Sequence, residues 1–399
     1  MKVVFLTHRL PYAPNRGDRI RAYYLLREMS RFATVSLFSL VHDDDEALHV
    51  KAMPFAHDVT TVRVTRFRNL LRGVAYLASS RPLTHCLLDA PDARTALGRL
   101  VGNTSPDIVV AYCSGMAPFA FEPSLGQLPF MLDMVDVDSA KWREMATRTH
   151  GLRHWVYGRE AMTLKAFEAR AVRRASMTLV VNERERNALI QIVPDARVRV
   201  LQNGIDTDAF RPNTPPAGNP IVIFCGVMNY YPNEEGVLWF GKRVWPLIRA
   251  VRRDARFTVV GSGATRAIWN LASSDESIEV LGRVPEVQTH LWRSAVAVAP
   301  LRLARGLQNK VLEALAAGLP VVTTPDVLDG LPSEVKPGCV SAESPDDFAQ
   351  AVLGLLANSP TERRARASAA RLEPLKWSER LGPLENILTD ALRWPQRPS

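Results

Sequence analysis

Short apolar runs alternate along this chain with longer stretches whose apolar residues recur every three or four positions. That alternation predicts strand–helix units built around parallel sheets. In the first half the runs Val3–Leu6, Thr34–Leu40, Thr60–Val64, Ile108–Tyr112, Phe130–Leu132, Met177–Val181 and Val198–Leu201 read as strands. The alternation lapses at Asn203–Pro220, where Pro212, Pro215, Pro216, Gly218 and Pro220 crowd together as in a linker. It then resumes with five expected strands, Ile221–Phe224, Phe257–Val260, Ile278–Leu281, Ala295–Ala299 and Pro320–Thr323. Helical spacing is clearest in Glu234–Val251 and Asn309–Ala317, and a last helix is expected over Leu375–Leu392.

Two Rossmann-like domains follow from this pattern. The expected boundaries are 1–202 for the first, 203–220 for the linker and 221–373 for the second, with 374–399 a C-terminal helix packing back on the first domain. A length of 399 residues agrees, because single cores stop growing at about 250–300 residues. Sheets of this kind offer their strand C-terminal ends and helix N-termini to ligands, so a cleft between the domains is the expected binding place.

Composition narrows the function classes. Hydrophobic residues at 47% and charged ones at 23% suit a globular chain. No apolar run approaches the ~20 residues needed to cross a bilayer, and Val3–Leu6 is too short for a signal peptide core. The four cysteines, Cys86, Cys113, Cys225 and Cys339, lack CxxC spacing and read as buried free thiols of a cytoplasmic protein. The net charge of +9 points to an anionic partner, whether nucleic acid, nucleotide phosphate or membrane surface.

The stretch from Ala299 to Thr324 chooses among these. A strand ends at Ala299, a loop carries Arg302, Arg305 and Gly306, and a helix opens near Gln308–Asn309. A helix N-terminus presents unpaired N–H groups and partial positive charge, so a diphosphate fits there. Gly306 lets a ligand approach the backbone, while Arg302, Arg305 and Lys310 add cationic donors. Glu313, one turn after Lys310, can accept hydrogen bonds from a ribose diol. The plainer alternative makes the arginines solvated loop charges and Lys310–Glu313 a surface ion pair.

This segment resembles the donor-binding motif of the family-four retaining glycosyltransferases. Its wording, Pro300-Leu-Arg302, Gly306 and Asn309-Lys310-Val-Leu-Glu313, is most similar to sugar transferases associated with exosortase and PEP-CTERM exopolysaccharide systems. Further matching stretches are Pro14-Asn-Arg-Gly17-Asp-Arg-Ile-Arg21, Asp133-Met-Val-Asp136-Val-Asp138-Ser-Ala-Lys141-Trp142, Asn203-Gly-Ile-Asp206 and Gly226-Val-Met-Asn-Tyr-Tyr-Pro232-Asn233. The resemblance implies an α/β GT-B fold, two Rossmann-like domains facing across a cleft, and transfer of a sugar from a nucleotide diphosphate sugar with retention. It implies no cofactor, the nucleotide sugar being a co-substrate, and no metal. There is one departure: the family commonly carries two glutamates eight positions apart, and where Glu313 is the second, the first position holds Arg305. Arg305 is then either a degenerate remnant or, as expected here, a third diphosphate cation beside Arg302 and Lys310.

Other donor contacts expected from the resemblance are Gly17, Gly226, Asn233, Gly261, Arg283 and Asn309, although the Gly17 loop suits the acceptor as well and Arg283 equally suits a plain surface charge. Asp18, Arg19, Asp138 and Asn203 are the expected cleft residues, although Asp18 also suits a helix N-cap and Asn203-Gly204 a simple turn. Gly261-Ser-Gly263 opens like a dinucleotide fingerprint but has Arg266 where the third glycine belongs. Many relatives place a catalytic histidine after the fifth strand, yet no histidine lies between His85 and His150. Asp136 is the candidate to activate or orient the acceptor, with Arg302 and Lys310 as the other catalytic candidates; a helix cap or an internal salt bridge is the alternative for Asp136. Asp136-Val-Asp138 also matches a metal-binding DxD pair of a different fold.

The expected acceptor is a saccharide or lipid-linked saccharide, at the inner face of the plasma membrane. Phe67, Leu70, Leu71, Val74 and Leu77 share one helical face, with Arg66, Arg68 and Arg72 off it. Such a stripe either packs on the core or docks on anionic lipid. Lys141–Arg174 is likewise rich in arginine, with Trp142, Trp155 and Tyr157 interspersed. Two rival functions share part of the pattern: a GT-B-fold sugar-nucleotide epimerase, and a basic nucleic-acid or regulatory binding protein.

Overall fold

A computed structural model of the protein describes residues 1–13, 17–147, 149–213, 215, 218–302 and 307–394. The chain forms two compact units, Met1–Asn203 with Arg380–Ser399, and Gly204–Glu379. Each is built on one parallel sheet, and the architecture is α/β with two Rossmann-like domains.

The first unit contains strands β1 (Lys2–Thr7), β2 (Thr34–Val41), β3 (Asp58–Arg63), β4 (Ile108–Tyr112), β5 (Phe130–Val135), β6 (Met177–Val180) and β7 (Val198–Val200). Their order is β3-β2-β1-β4-β5-β6-β7. β1 and β4 are buried almost throughout, which is why they read as unbroken apolar runs and not as alternating ones. The second unit contains β8 (Ile221–Cys225), β9 (Arg256–Val260), β10 (Ile278–Gly282), β11 (Val296–Ala299), β12 (Val321–Thr323) and β13 (Cys339–Ser341), in the order β10-β9-β8-β11-β12-β13. Six strands stand where five were expected. Cys339–Ser341 has too few apolar residues to show as a run, and its pairing with β12 makes it a strand.

Two expected helices are interrupted. Tyr231–Trp239 and Trp245–Val251 flank a π-helical turn at Phe240–Val244. Pro246 has no N–H to return to the preceding turn and its ring crowds that turn, so the backbone widens there. Leu375–Leu392 is two helices, Trp377–Leu381 and Leu384–Leu392, parted by Gly382-Pro383. The second of them packs on the helix Gly17–Met29 and on β5 within the first unit. In 203–220 a short helix, Thr207–Phe210, follows an isolated bridge between Ile205 and Lys376. Gly204 is pressed against Trp377, where an added Cβ would sit 2.6 Å from its backbone.

Each unit has its own apolar core on its sheet. In the second, Trp245 is fully buried and donates its Nε1–H to Ser277 Oγ at 2.8 Å. All four cysteines are free thiols; Cys86 and Cys339 are buried, whereas Cys113 and Cys225 are only half-buried.

Candidate functional site

In the second sheet the connections run outward from β8 through β9 to β10, and from β11 through β12 to β13. The topology therefore reverses between β8 and β11, and the carboxyl ends of those two strands are where an open α/β sheet receives ligands. The segments leaving them meet in the structure. Lys310, on the helix Asn309–Ala316 after β11, donates to Asn233 Oδ1 at 2.5 Å, and Asn233 follows β8. Asn233 in turn donates its Nδ2–H to the Val227 carbonyl at 2.9 Å, which pins the loop. The Lys310 ammonium also lies 4.8 Å from the Phe224 ring centroid.

Glycines make room at this point. Gly226 follows β8 and Gly261 follows β9; Gly261 has φ +145°, and a Cβ on it would stand 1.6 Å from the Gly226 carbonyl oxygen. A Cβ on Gly226 would meet Asn233 Nδ2 at 2.8 Å. The Gly226 N–H bonds the Val260 carbonyl at 3.0 Å and the Gly261 N–H bonds the Gly282 carbonyl at 2.8 Å. Three strand ends are thus tied together by backbone that only glycine permits at position 261.

Electrostatics single out the same residues. Burial pushes the Lys310 ammonium down to about 8, with the electrostatic influence of neighbouring Cys225 and Glu313 opposing the shift. Burial pushes the Glu313 carboxyl up to about 7, and only Lys310 opposes it. Burial also raises the Cys225 thiol, beside Glu313 and Lys310. A lysine and a glutamate both pulled toward neutrality, on one helix at a strand end, mark a place where a charged ligand would change both.

The remaining donor-side candidates are spread. Arg302 is exposed and pairs with Glu235 at 3.4 Å. Asn309 is exposed at the helix start, and Arg283 is exposed after β10. Arg305 and Gly306 lie outside the described residues.

The first sheet reverses between β1 and β4. There His8, just after β1, stacks on Tyr112 with centroids 5.6 Å apart, and its Nδ1 lies 3.5 Å from Cys113 Sγ. Cys113 and Val135, at the ends of β4 and β5, have φ of +68° and +64°. Left-handed backbone at a β-branched valine costs about 1–3 kcal/mol and tends to persist where function holds it. Asp136 comes next, half-buried, its N–H bonded to the Met134 carbonyl at 2.8 Å. Asp138 accepts from Ser114 Oγ at 2.6 Å; burial raises its carboxyl, with the Ser114 bond working against that.

The helix Asp138–Thr147 begins two residues after Asp136. Its entry is held by carboxylates from elsewhere: Glu185 accepts from the Val137 N–H at 2.8 Å and Glu168 from the Ser139 N–H at 3.0 Å. Burial raises Glu168 to about 7, against its hydrogen bonds from Ser139. No spacing in the chain announces Glu168 or Glu185, because both act on a helix remote in sequence.

Arg19 and Asn203 of the first half are engaged in hydrogen bonds within the first unit. Gly17 opens the helix Gly17–Met29, so Asp18 lies in its first turn and is not the N-cap. Arg19 is buried, with Nη2 at 2.5 Å from Glu46 Oε1 and Nη1 donating to Tyr12 Oη at 3.0 Å. Burial disfavours the charged form of Glu46, but the His42 N–H and the guanidiniums of Arg19 and Arg9 outweigh it and hold the carboxyl below its usual range. Arg21, buried, grips both oxygens of Asp133 at 2.7 and 3.1 Å and donates to the Leu201 carbonyl and to Asn203 Oδ1. Asn203 is therefore an anchor for Arg21 at the end of the first unit. Among the described residues no three His, Cys, Asp or Glu side chains gather as a metal would need, and no helix is long and apolar enough to cross a membrane.

Residues 219–358 match the family described as glycosyl transferases group 1. No curated protein matches the chain in sequence. Solved structures resemble it over nearly its whole length. Sucrose-phosphate synthase from Thermosynechococcus elongatus superposes with a TM-score of 0.66 at 16% identity, covering 98% of this chain and 99% of that one. Anabaena HepE in complex with UDP and glucose gives 0.65 at 14%, over 98% and 99%. The E. coli structure described as trehalose-6-phosphate, bound with UDP-2-fluoro glucose, gives 0.64 at 14%, over 100% of both chains.

Proposed function

We propose that this chain, a GT-B glycosyltransferase carrying a group 1 domain at residues 219–358, transfers a sugar from a uridine diphosphate sugar to a hydroxyl of a saccharide or lipid-linked saccharide. The observation that carries the donor half is the Lys310–Asn233 bond, which closes the topological switch between β8 and β11 beside Glu313. The choice of uridine is supported by the UDP named for HepE and the UDP-2-fluoro glucose named for the E. coli neighbour.

In this reading the diphosphate lies at the start of the helix Asn309–Ala316, where unpaired N–H groups and Lys310 face it. Its oxygens displace Asn233 as the partner of the ammonium. As the glycosidic bond to the donor breaks, charge grows on the leaving diphosphate and Lys310 and Arg302 neutralise it, with no metal required. Arg305 adds a planar fork to the same oxygens. Glu313 accepts from the ribose hydroxyls. The first unit takes the acceptor, and Asp136, set beside the strained Val135, orients the hydroxyl that attacks the anomeric carbon. Retention is the expected stereochemistry, as in the trehalose-6-phosphate synthase neighbour described with glycosyl transfer with retention. The protein needs no cofactor, acts in exopolysaccharide assembly of the PEP-CTERM kind, and works at the inner face of the plasma membrane as a peripheral protein.

A thermal-shift and calorimetric screen of UDP, GDP, ADP and their glucose derivatives tests the donor. UDP is expected to raise the unfolding midpoint, as any ligand of the native state does. Lys310→Ala is expected to weaken UDP ~10–100-fold, the worth of one charge-assisted hydrogen bond. Undiminished UDP affinity in Lys310→Ala would remove the donor site from this helix.

A further inference from the structure

The helix Arg66–Leu77 is amphipathic with its faces reversed. Its polar residue Asn69 is fully buried and donates to the carbonyls of Leu87 and Asp89 at 3.2 and 2.8 Å. Three of its large apolar residues face out: Phe67 is 76% exposed, Leu70 66% and Leu71 62%. A helix that only served the core would turn these inward.

The helix is held in this pose. Arg68 and Arg72 both pair with Asp89. Arg159 of the helix Gly151–Arg174 is buried and donates to the carbonyls of Tyr76, Leu77, Ser79 and Arg81, which fixes the C-terminal end of the reversed helix. On that second helix the apolar side chains Leu152, Trp155 and Met162 are 76%, 53% and 69% exposed. Arg159 thus joins two elements that each present large apolar side chains to solvent.

Cations predominate around these residues, although Asp89 is paired with Arg68 and Arg72. From Thr60 to Leu88 the sequence holds no acidic residue but carries Arg63, Arg66, Arg68, Arg72 and Arg81. Between residues 139 and 174 the exposed ionic side chains among the described residues are Lys141, Arg143, Arg153, Lys165, Arg170 and Arg173, while Glu160 and Glu168 are buried and Glu144 is half-buried. Exposed aromatic and aliphatic residues on elements rich in cations fit the headgroup region of an anionic bilayer, where apolar side chains enter the acyl boundary and arginine and lysine meet phosphate.

We propose that the outward faces of Arg66–Leu77 and of residues 152–162 form a membrane-docking surface for anionic phospholipid. Phe67, Leu70 and Leu71 insert, Trp155 sits at the interface, and the surrounding cations select negative headgroups. This deepens the peripheral-membrane reading above and rests on it. Because Arg68 and Arg72 are already paired with Asp89, apolar insertion carries more of the attachment than they do.

The test is flotation of the full chain with vesicles of phosphatidylcholine, alone or mixed equally with phosphatidylglycerol. The wild type is expected to float with the mixed vesicles, less in high salt but not zero. Replacing Phe67, Leu70 and Leu71 together by glutamine keeps helix propensity and touches only exposed positions. This variant is expected to lose at least ~30-fold in partitioning while its unfolding midpoint and its thermal shift with UDP stay at wild-type values. A wild type that stays with neither vesicle, or a triple variant that floats as well as wild type, overturns the proposal. Concentration-dependent self-association in the absence of vesicles, abolished by the triple variant, would give the face to a second copy of the chain and overturn it equally. Absence of a UDP shift in a wild type that still floats on the anionic vesicles would count against the transferase donor and leave the docking surface standing.

Discussion

Lys310 and Glu313 share one helix turn, and burial drives both toward neutrality, the first down to about 8 and the second up to about 7. In the protein without ligand Glu313 lies above its ordinary value, so its contribution to stability falls as pH rises from about 4.5 through about 7. Lys310 lies below its ordinary value, so its contribution rises as pH climbs from about 8 toward 10.5. A diphosphate reverses the lysine's preference, since it favours the ammonium. UDP affinity is therefore expected to be greatest between about 7 and 8 and to fall on both sides, as Glu313 takes a proton below and Lys310 loses one above. Binding above about 8 should take up a proton, which calorimetry in two buffers of different ionisation enthalpy would read directly. A flat affinity across this range would separate these two groups from the ligand. The same measurement on Glu313→Ala and Glu313→Gln distinguishes a ribose contact from an ion-pair partner. Glutamine can still accept a hydroxyl hydrogen bond and alanine cannot, so alanine is expected to weaken binding by ~1.5–3 kcal/mol and glutamine by less.

At the scale of elements, one buried ion pair organises the first unit. Arg21 on the helix Gly17–Met29 ties β5 through Asp133 to the chain's exit at Leu201 and Asn203, with both members of the Arg21–Asp133 pair nearly inaccessible. Removing one partner strands the other charge in the core, so Asp133→Ala is expected to cost about 3–5 kcal/mol of stability in urea unfolding. A loss under about 1 kcal/mol would show that water reaches the guanidinium after all. Neither the pairing nor its depth can be read from the chain, since 112 positions separate the two residues. The reversed helix Arg66–Leu77 is the converse case. Its apolar periodicity is plain in the sequence, but spacing alone leaves open which way the face points. Asn69, Asp89 and Arg159 decide that, through bonds that span 17 to 83 positions of the chain.

At the scale of the molecule, the chain returns to its first unit after completing the second. Leu384, Ile387, Leu388 and Ala391 of the last helix are buried there, and Arg199 pairs with Asp390 at 3.0 Å. Leu388→Ala is expected to lower the stability of the N-terminal unit by about 2–5 kcal/mol, as deletion of a buried leucine side chain does. Differential scanning calorimetry with and without UDP would assign the change, because the nucleotide should move the transition of the second unit and the substitution that of the first. A substitution that lowers the UDP-sensitive transition instead would place this helix with the second unit.

Alternation of apolar runs with amphipathic stretches determined the two Rossmann-like domains, because strands buried on both faces must be apolar throughout and helices need only one apolar side. The same local logic located the helix after β11 and, with it, Lys310 and Glu313. It missed β13, whose three residues are a strand only by pairing with β12, and the breaks at Pro246 and Pro383, where an apolar spacing continues through a residue that cannot continue the helix. Tertiary structure alone decided that Asn233 meets Lys310, that His8 meets Tyr112 and Cys113, and that Glu168 and Glu185 hold the entry of a helix they are not part of. The first two contacts join strand ends that are neighbours only because the strand order reverses between β8 and β11 and between β1 and β4. Local propensity is encoded within a few residues, whereas a switch point is a property of strand order, and it comes into being only when the sheet is assembled.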